Sequence, residues 1–390
     1  MAGGQQAFAE AATTDCPYPG GFEGRGIVIC AGGEGLLSAA YVCIGMLRKK
    51  GCDLPVQIWH LGSQEIPDAW RPLWESIDVE LIDAYQVREA HPARILNGWE
   101  IKPYSIKHCR FKEVLLLDAD NVPIVDPEFL FETPQFAETG AIFWPDYNRL
   151  GHDRQIWSLC QVPYRDEPEF ESGQIVVDKE RCWHAISLTV VMNEYSDFFY
   201  GIIHGDKDTY HMAWRRLGQA YSMPTTPIDS LEGVMCQHDF EGTRIFQHRN
   251  FDKWNLYRDP KRIDRFEHHD DCVALLHEVR GIMADRFGQA VLAYEEDDEQ
   301  AAGEELATGT WLYRRIGHDE RQIRFGMDGK VSYGYADCER WWRLTDAKTL
   351  EVIGEDGVTF RCERNGDGHW HGAWLLHEKM GVELRRVEAS

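Results

Sequence analysis

The chain has 390 residues, 43% of them hydrophobic, with 41 basic and 65 acidic residues and a formal charge of −24. That length supports more than one domain and a large core. The acidic balance excludes an electrostatic footprint for nucleic acid or anionic lipid, and any nucleotide diphosphate must find local positive charge, such as a bound metal.

No run approaches the roughly 20 consecutive apolar residues of a membrane span. The first 24 residues, rich in Ala, Gly, Gln and Thr, lack the basic start and apolar centre of a secretory signal, and read as a flexible lead-in. Eleven cysteines scattered from Cys16 to Cys362 form no Cys-x-x-Cys pair, which suggests reduced thiols and a cytoplasmic location. From Gly26 the pattern alternates. A strand is expected at Gly26 to Ala31, then a turn at Gly32-Gly33-Glu34-Gly35, then a helix from Leu36 to Lys50 ending in a cationic last turn before Gly51. Further strands are expected at Pro55 to Leu61, Val79 to Ala84, Glu113 to Asp120, Gly140 to Trp144 and Gly173 to Val177. Strands alternating with helices predict an α/β fold with a mostly parallel sheet covered on both faces.

The glycine turn partly imitates a dinucleotide fingerprint, but the second strand ends in Trp59-His60-Leu61-Gly62 with no acid for a ribose. Its backbone amides at Gly32 and Gly33 would serve any nucleotide equally, and a ligand-free tight turn is the plain alternative. The stretch Leu115-Leu116-Leu117-Asp118-Ala119-Asp120-Asn121 is more informative, because an apolar run delivers two carboxylates to a strand's carboxyl end. If the strand continues regularly, Asp118 and Asp120 face the same way and can share a hard divalent ion that also takes phosphate oxygens. Two solvated acids are the competing reading.

Three constellations follow. Glu171-Ser172-Gly173-Gln174 leads into an apolar strand, with Gly173 permitting close backbone approach. Gly205-Asp206-Lys207-Asp208 opens a helical stretch, where simple capping would also explain the acids. His248 lies in Phe246-Gln247-His248-Arg249-Asn250-Phe251-Asp252-Lys253 as a ligand or a structural histidine.

With GRGIVICAGG in front, the order LLLDADNVP, WPD, ESGQ, GDKDTY, CQHD and FQHRNFDKW over roughly residues 24–280 resembles the fungal Golgi α-mannosyltransferases of glycosyltransferase family 71. The resemblance implies a GT-A nucleotide-diphospho-sugar transferase fold and retaining transfer of a hexose from a sugar nucleotide. It implies Asp118, Asp120 and His248 as ligands of Mn²⁺ or Mg²⁺, with Asp120 the more direct. Lys102, Arg249 and Lys253 would meet the donor diphosphate. Glu171, Asp206 and Asp208 would be the sugar- and acceptor-facing acids, with a covalent intermediate and same-face attack both left open. Mannose from GDP-mannose is the leading donor and a glycan the acceptor, with a UDP-linked galactose or glucose as the alternative. A non-catalytic glycan-binding protein on a transferase fold is the competing class. The fungal enzymes are membrane-anchored, whereas this chain reads as a soluble bacterial relative.

The transferase domain is expected to span residues 25–293. The acidic run at 294–305 reads as a linker. Beyond it, Asp-Gly steps at Asp328-Gly329, Asp356-Gly357 and Asp367-Gly368 between alternating residues predict a small antiparallel sheet or barrel over 306–388. Trp341, Trp342, Trp370 and Trp374 would be its core or, alternatively, a carbohydrate platform.

Overall fold

The computed structural model describes the chain apart from Met1, Ala69, Asp252, Asn255, residues 257–259, 293–296, 327–328, Asp337, 355–356, 377–379 and 388–390; at Ala2, Glu34, 284–292 and 297–301 it describes the backbone alone. The chain divides into two compact units. One comprises residues 1–32, 39–254 and 260–275; the other comprises 33–38, 255–259 and 276–390. The division falls within the helix His269–Leu292 rather than at the acidic run. Of that run, residues 294–296 lie outside the described residues, and the acids from Asp297 open a helix, Asp297–Thr308, where negative charge at an N-terminus is favourable.

The first unit is built on a six-stranded sheet in the order β3-β2-β1-β4-β7-β6. Its strands are β1 (Arg25–Cys30), β2 (Val56–His60), β3 (Val79–Asp83), β4 (Glu113–Asp118), β6 (Ala141–Pro145) and β7 (Phe170–Asp178). β1 to β4 pair in parallel, whereas β7 runs antiparallel to both β4 and β6. The sheet is therefore mixed, as the GT-A expectation required, and not simply parallel. Ile27 to Ile29 and Val114 to Leu117 are fully buried, which explains why these strands read as unbroken apolar runs instead of alternating. A second, four-stranded antiparallel sheet has the order β5-β10-β9-β8, from β5 (Asn121–Pro123), β8 (Asp229–Leu231), β9 (Val234–His238) and β10 (Arg244–His248).

The expected strand from Glu113 to Asp120 stops at Asp118. Ala119 and Asp120 form a turn, and the chain re-enters as β5 in the other sheet. The lead-in is also more ordered than its composition suggests. Ala2–Ala11 is a helix, and Phe8, 1% exposed, meets Phe199 edge-on with ring centroids 6.2 Å apart. One buried aromatic gives this small-residue segment an anchor. Among the described residues no helix is long and apolar enough to cross a membrane. All eleven cysteines are free thiols.

In the second unit eight antiparallel strands, β11 (Trp311–Arg315), β12 (Asp319–Phe325), β13 (Val331–Tyr333), β14 (Trp341–Asp346), β15 (Thr349–Gly354), β16 (Gly357–Arg364), β17 (Trp370–Trp374) and β18 (Gly381–Arg386), form one sheet. Its order is β13-β12-β11-β18-β17-β16-β15-β14, and a bridge between Lys330 and Trp341 brings the end strands together. Trp370 and Trp374 lie in its core, with Trp342 packed partly against it. Trp341 is half-buried. Of the three expected turns, Asp367-Gly368 connects β16 to β17, whereas Asp328 and Asp356 lie outside the described residues.

Candidate active site

The register of two sheets assembles the site. β4 ends at Asp118, and Cys30 at the end of β1 is its neighbour. After the turn, Asn121 on β5 pairs with His248 on β10, and the Arg249 amide donates to the Asp120 carbonyl at 3.0 Å. The imidazole is thereby carried to the acids. His248 Nε2 lies 3.2 Å from Asp120 Oδ1 and 3.6 Å from Asp118 Oδ2. One ligand atom from each of the three residues falls within 4.8 Å of the others, and among the described residues no other such group of three is found. Strand alternation had suggested this convergence, but the turn at Ala119–Asp120 produces it.

β7 runs past the end of β4 and supplies Glu171, whose Oε1 is 3.3 Å from His248 Nδ1. Glu171 also accepts from the Gly173 amide at 2.9 Å. A Cβ on Gly173 would stand 2.5 Å from His248 Nδ1, so the glycine is required by the ring packed against it. Asn121 completes the frame, donating through Nδ2 to the Gly173 carbonyl at 3.0 Å and to Gln174 Oε1 at 2.8 Å. Glu171 thus stands at ion-pair distance from one imidazole nitrogen, without a hydrogen bond to it, while the other faces the aspartates.

Charge is concentrated here. Burial opposes ionisation of Asp120, yet His248 and Lys253 hold its carboxyl well below the usual range. Burial pulls the His248 imidazole down, but Asp120 and Glu171 outweigh it and raise it to about 10. Lys102, in the helix Ile101–His108, reaches Asp118 Oδ1 at 2.7 Å, and Lys253 reaches Asp120 Oδ2 at 2.8 Å. Both aspartates therefore already face cationic groups. Two carboxylates and an imidazole form an oxygen-rich donor set with one nitrogen, which could hold a divalent ion in place of the proton on His248 Nε2.

The other expected site residues separate. Asp206 precedes the helix Lys207–Leu217 without capping it by a side-chain hydrogen bond. Its carboxyl is pushed up to about 6 by burial, against Lys102 and with Asp118, and its Oδ2 has no hydrogen-bond partner. Asp208 belongs to a different neighbourhood: burial and Glu169 raise it to about 7, with Lys207 and Asp146 also close by. Its Oδ1 likewise has no partner. Lys207, which pairs with Asp146 and, at 2.5 Å, with Glu169, occupies the centre of that neighbourhood. A lysine between two aspartates at a helix start reads as solvated, so sequence reasoning passed over both Lys207 and Glu169.

Two expected diphosphate contacts find their side chains engaged elsewhere. The Arg249 side chain is fully buried, with its guanidinium 4.5 Å from the Trp254 ring centroid and 5.6 Å from that of Phe266, and it donates to the Lys261 carbonyl. These contacts describe packing and give the expected diphosphate contact no support. Lys102 is engaged with both oxygens of Asp118 and with Ser172, so its charge serves the aspartate directly. Lys253, half-exposed, keeps a place from which an ammonium can meet a phosphate. At the glycine turn, Gly33 has a φ of +75°, and a Cβ on Gly32 would stand 2.1 Å from Glu65 Oε2. That carboxylate oxygen accepts from the Leu61 amide at 2.6 Å, and no spacing in the sequence announced it.

A family model, Mannosyl_trans3, described as "Mannosyltransferase putative", matches residues 24–169 and 164–249, more than half of the chain and all of the strands that build this site. The chain belongs to this mannosyltransferase family. Among its relatives, the α-1,2-mannosyltransferase MNN5 of Saccharomyces cerevisiae is 25% identical over 289 residues, 58% of this chain and 49% of that protein. The α-1,2-mannosyltransferase MNN23 of Candida albicans is 25% identical over 396 residues, 84% of this chain and 63% of that protein. The chain spans about half the length of the first of these family members. Among solved structures, the galactosyltransferase LgtC, in complex with donor and acceptor sugar analogues, overlaps with a TM-score of 0.43 at 11% identity, over 66% of this chain and 99% of that one.

Proposed function

We infer that the chain is a metal-dependent retaining glycosyltransferase that moves mannose from GDP-mannose to a hydroxyl of a glycan in α linkage. The observation that carries this reading is the meeting of Asp118, Asp120 and His248 at ligand spacing within a mannosyltransferase family domain. The names of the α-1,2-mannosyltransferase relatives support the sugar. Asp118, Asp120 and His248 would hold the ion, which when bound would supply charge neutralisation for a leaving nucleoside diphosphate.

The residues divide the remaining work. Glu171, 3.3 Å from His248 Nδ1, favours the ring orientation that keeps Nε2 toward the aspartates. It is therefore a positioning residue rather than a nucleophile. Lys253, on the exposed side of Asp120, offers an ammonium to a phosphate oxygen. Asp206 Oδ2, buried and without a partner, is open to a sugar hydroxyl, and a carboxyl raised to about 6 can hold or release a proton near neutrality. Lys102 and Ser172 beside it keep its surroundings polar.

The test is a panel of GDP- and UDP-sugars with Mn²⁺ or chelator, read by thermal shift and by donor hydrolysis. GDP-mannose with Mn²⁺ is expected to give the largest response. A stronger response to a UDP-hexose would replace the donor, and no response to any sugar nucleotide would leave a non-catalytic glycan-binding protein.

A further inference from the structure

A cavity of about 550 Å³ opens at the carboxyl end of β6, between the segment Pro145 to Arg149, Pro168 and the segment Met223 to Ile228. Its volume lies within the range of small-molecule sites. Its position relative to the metal-binding group is set by strand register. Trp144, immediately before the cavity wall, pairs with Glu171, and Glu171 Oε1 is 3.3 Å from His248 Nδ1. The wall is also fixed from the second sheet: Gln237 Nε2 donates to the Pro145 carbonyl at 2.8 Å, and Trp144 Nε1 to the His238 carbonyl at 2.8 Å.

The lining has a definite chemistry. Tyr147 is 51% exposed, yet its hydroxyl is tied to Ser230 Oγ at 3.3 Å, so the ring stands beside the cavity as a fixed apolar face. The charged groups of the lining are neutralised by neighbours: Asp146 pairs with Lys207, and Arg149 donates to Asp166 at 3.0 Å. What remains toward the space is an aromatic ring, prolines, Met223, and the uncharged polar groups of Asn148, Thr225 and Thr226. The lining cation, Arg149, is shared with Asp166 in a surface pair, which leaves a phosphate or carboxylate a weakened partner. A neutral saccharide finds both of the surfaces it needs, a flat ring for its C–H face and amide or hydroxyl groups for its edge.

We propose that this cavity is the acceptor subsite, holding a neutral saccharide unit of the acceptor glycan with its apolar face on Tyr147 and its reacting hydroxyl directed toward the Glu171 end of β7. The proposal rests on the transferase reading and extends it to specificity. Tyr147 is a binding residue here and takes no part in bond making.

The experiment compares wild type, Tyr147→Ala and Tyr147→Phe, using α-1,2-mannobiose as the acceptor probe. Binding is followed by titration calorimetry, and the acceptor KM by initial rates with GDP-mannose. Tyr147→Ala is expected to weaken mannobiose binding and raise acceptor KM at least tenfold relative to donor KM, while Tyr147→Phe, which keeps the ring, stays within threefold of wild type. Mannobiose binding by Tyr147→Ala equal to wild type overturns the proposal, as does preferential binding of a phosphorylated disaccharide. Tyr147-dependent mannobiose binding by a protein that turns over no sugar nucleotide supports a saccharide site here and removes the transferase reading, so the two failures are distinguishable.

Discussion

In the C-terminal sheet Glu351 is 2% exposed in its side chain, and both of its oxygens are taken. Arg343 holds Oε2 at 2.6 and 2.8 Å, and Arg361 holds Oε1 at 2.5 and 2.8 Å. The three side chains are direct neighbours across β14, β15 and β16, so regular pairing alone brings them together. Around Asp118 the arrangement differs in origin and in balance. The groups come from a helix, two strand ends, a turn and a second sheet, and Asp206 beside them keeps a buried oxygen without a partner. A closed cluster has nothing left to offer a ligand, whereas an acid-rich cluster with open oxygens is completed by a cation and by hydroxyl groups.

The sharpest way to break this comparison is to remove one acid from each region. Asp120→Asn is expected to keep the fold and lose Mn²⁺-dependent transfer by about a thousandfold, equivalent to roughly 4 kcal/mol. Chelator-resistant transfer at the wild-type rate in that variant would remove the metal assignment. Glu351→Gln should do the opposite. It leaves two arginines facing a neutral amide and is expected to cost about 2 to 3 kcal/mol of stability in denaturant melts, below the roughly 3 to 5 of a fully enclosed pair because Arg361 is 34% exposed. Transfer per folded molecule should be unchanged. Equal melting curves for variant and wild type would show that the closed cluster contributes nothing measurable.

The smallest expected effect sharpens the contrast through pH. Asp208 has its carboxyl raised to about 7 by burial and Glu169, so the folded state binds a proton more tightly than the unfolded chain does. Its penalty on stability is absent at pH values below the ordinary carboxylate range. It grows as pH rises from there to about 7 and is complete above that. Asp208→Asn removes the penalty, and is expected to raise stability at pH 8 by on the order of 1 to 2 kcal/mol, with little gain at pH 4. A gain of the same size at both pH values would mean that the charge is not the cause.

Much of the architecture was legible because buried strands are written as local runs. Ile27 to Ile29 and Leu115 to Leu117 announce themselves, and so do the Asp-x-Asp pair and the family order that brought in His248. The N-terminal helix was not, because its docking depends on Phe8 meeting Phe199, nearly two hundred residues away in the chain. The surroundings of Arg249 were hidden for a related reason. A basic residue beside a ligand histidine looks available for a phosphate, yet adjacent residues at a strand end point to opposite sides, and this one turns into Trp254 and Phe266.

The sequence by itself determined the α/β and all-β halves, the acids at the end of β4, and membership of a mannosyltransferase family, since apolar periodicity and motif order are properties of the chain. Tertiary structure alone decided that Asn121 pairs with His248, that Glu171 buttresses the imidazole, that Asp206 and Asp208 serve different neighbourhoods, and that Tyr147 stands over a cavity. Those facts depend on the register between strands separated by tens of residues or more, and a register is fixed by the packing of whole sheets rather than by any spacing within one segment.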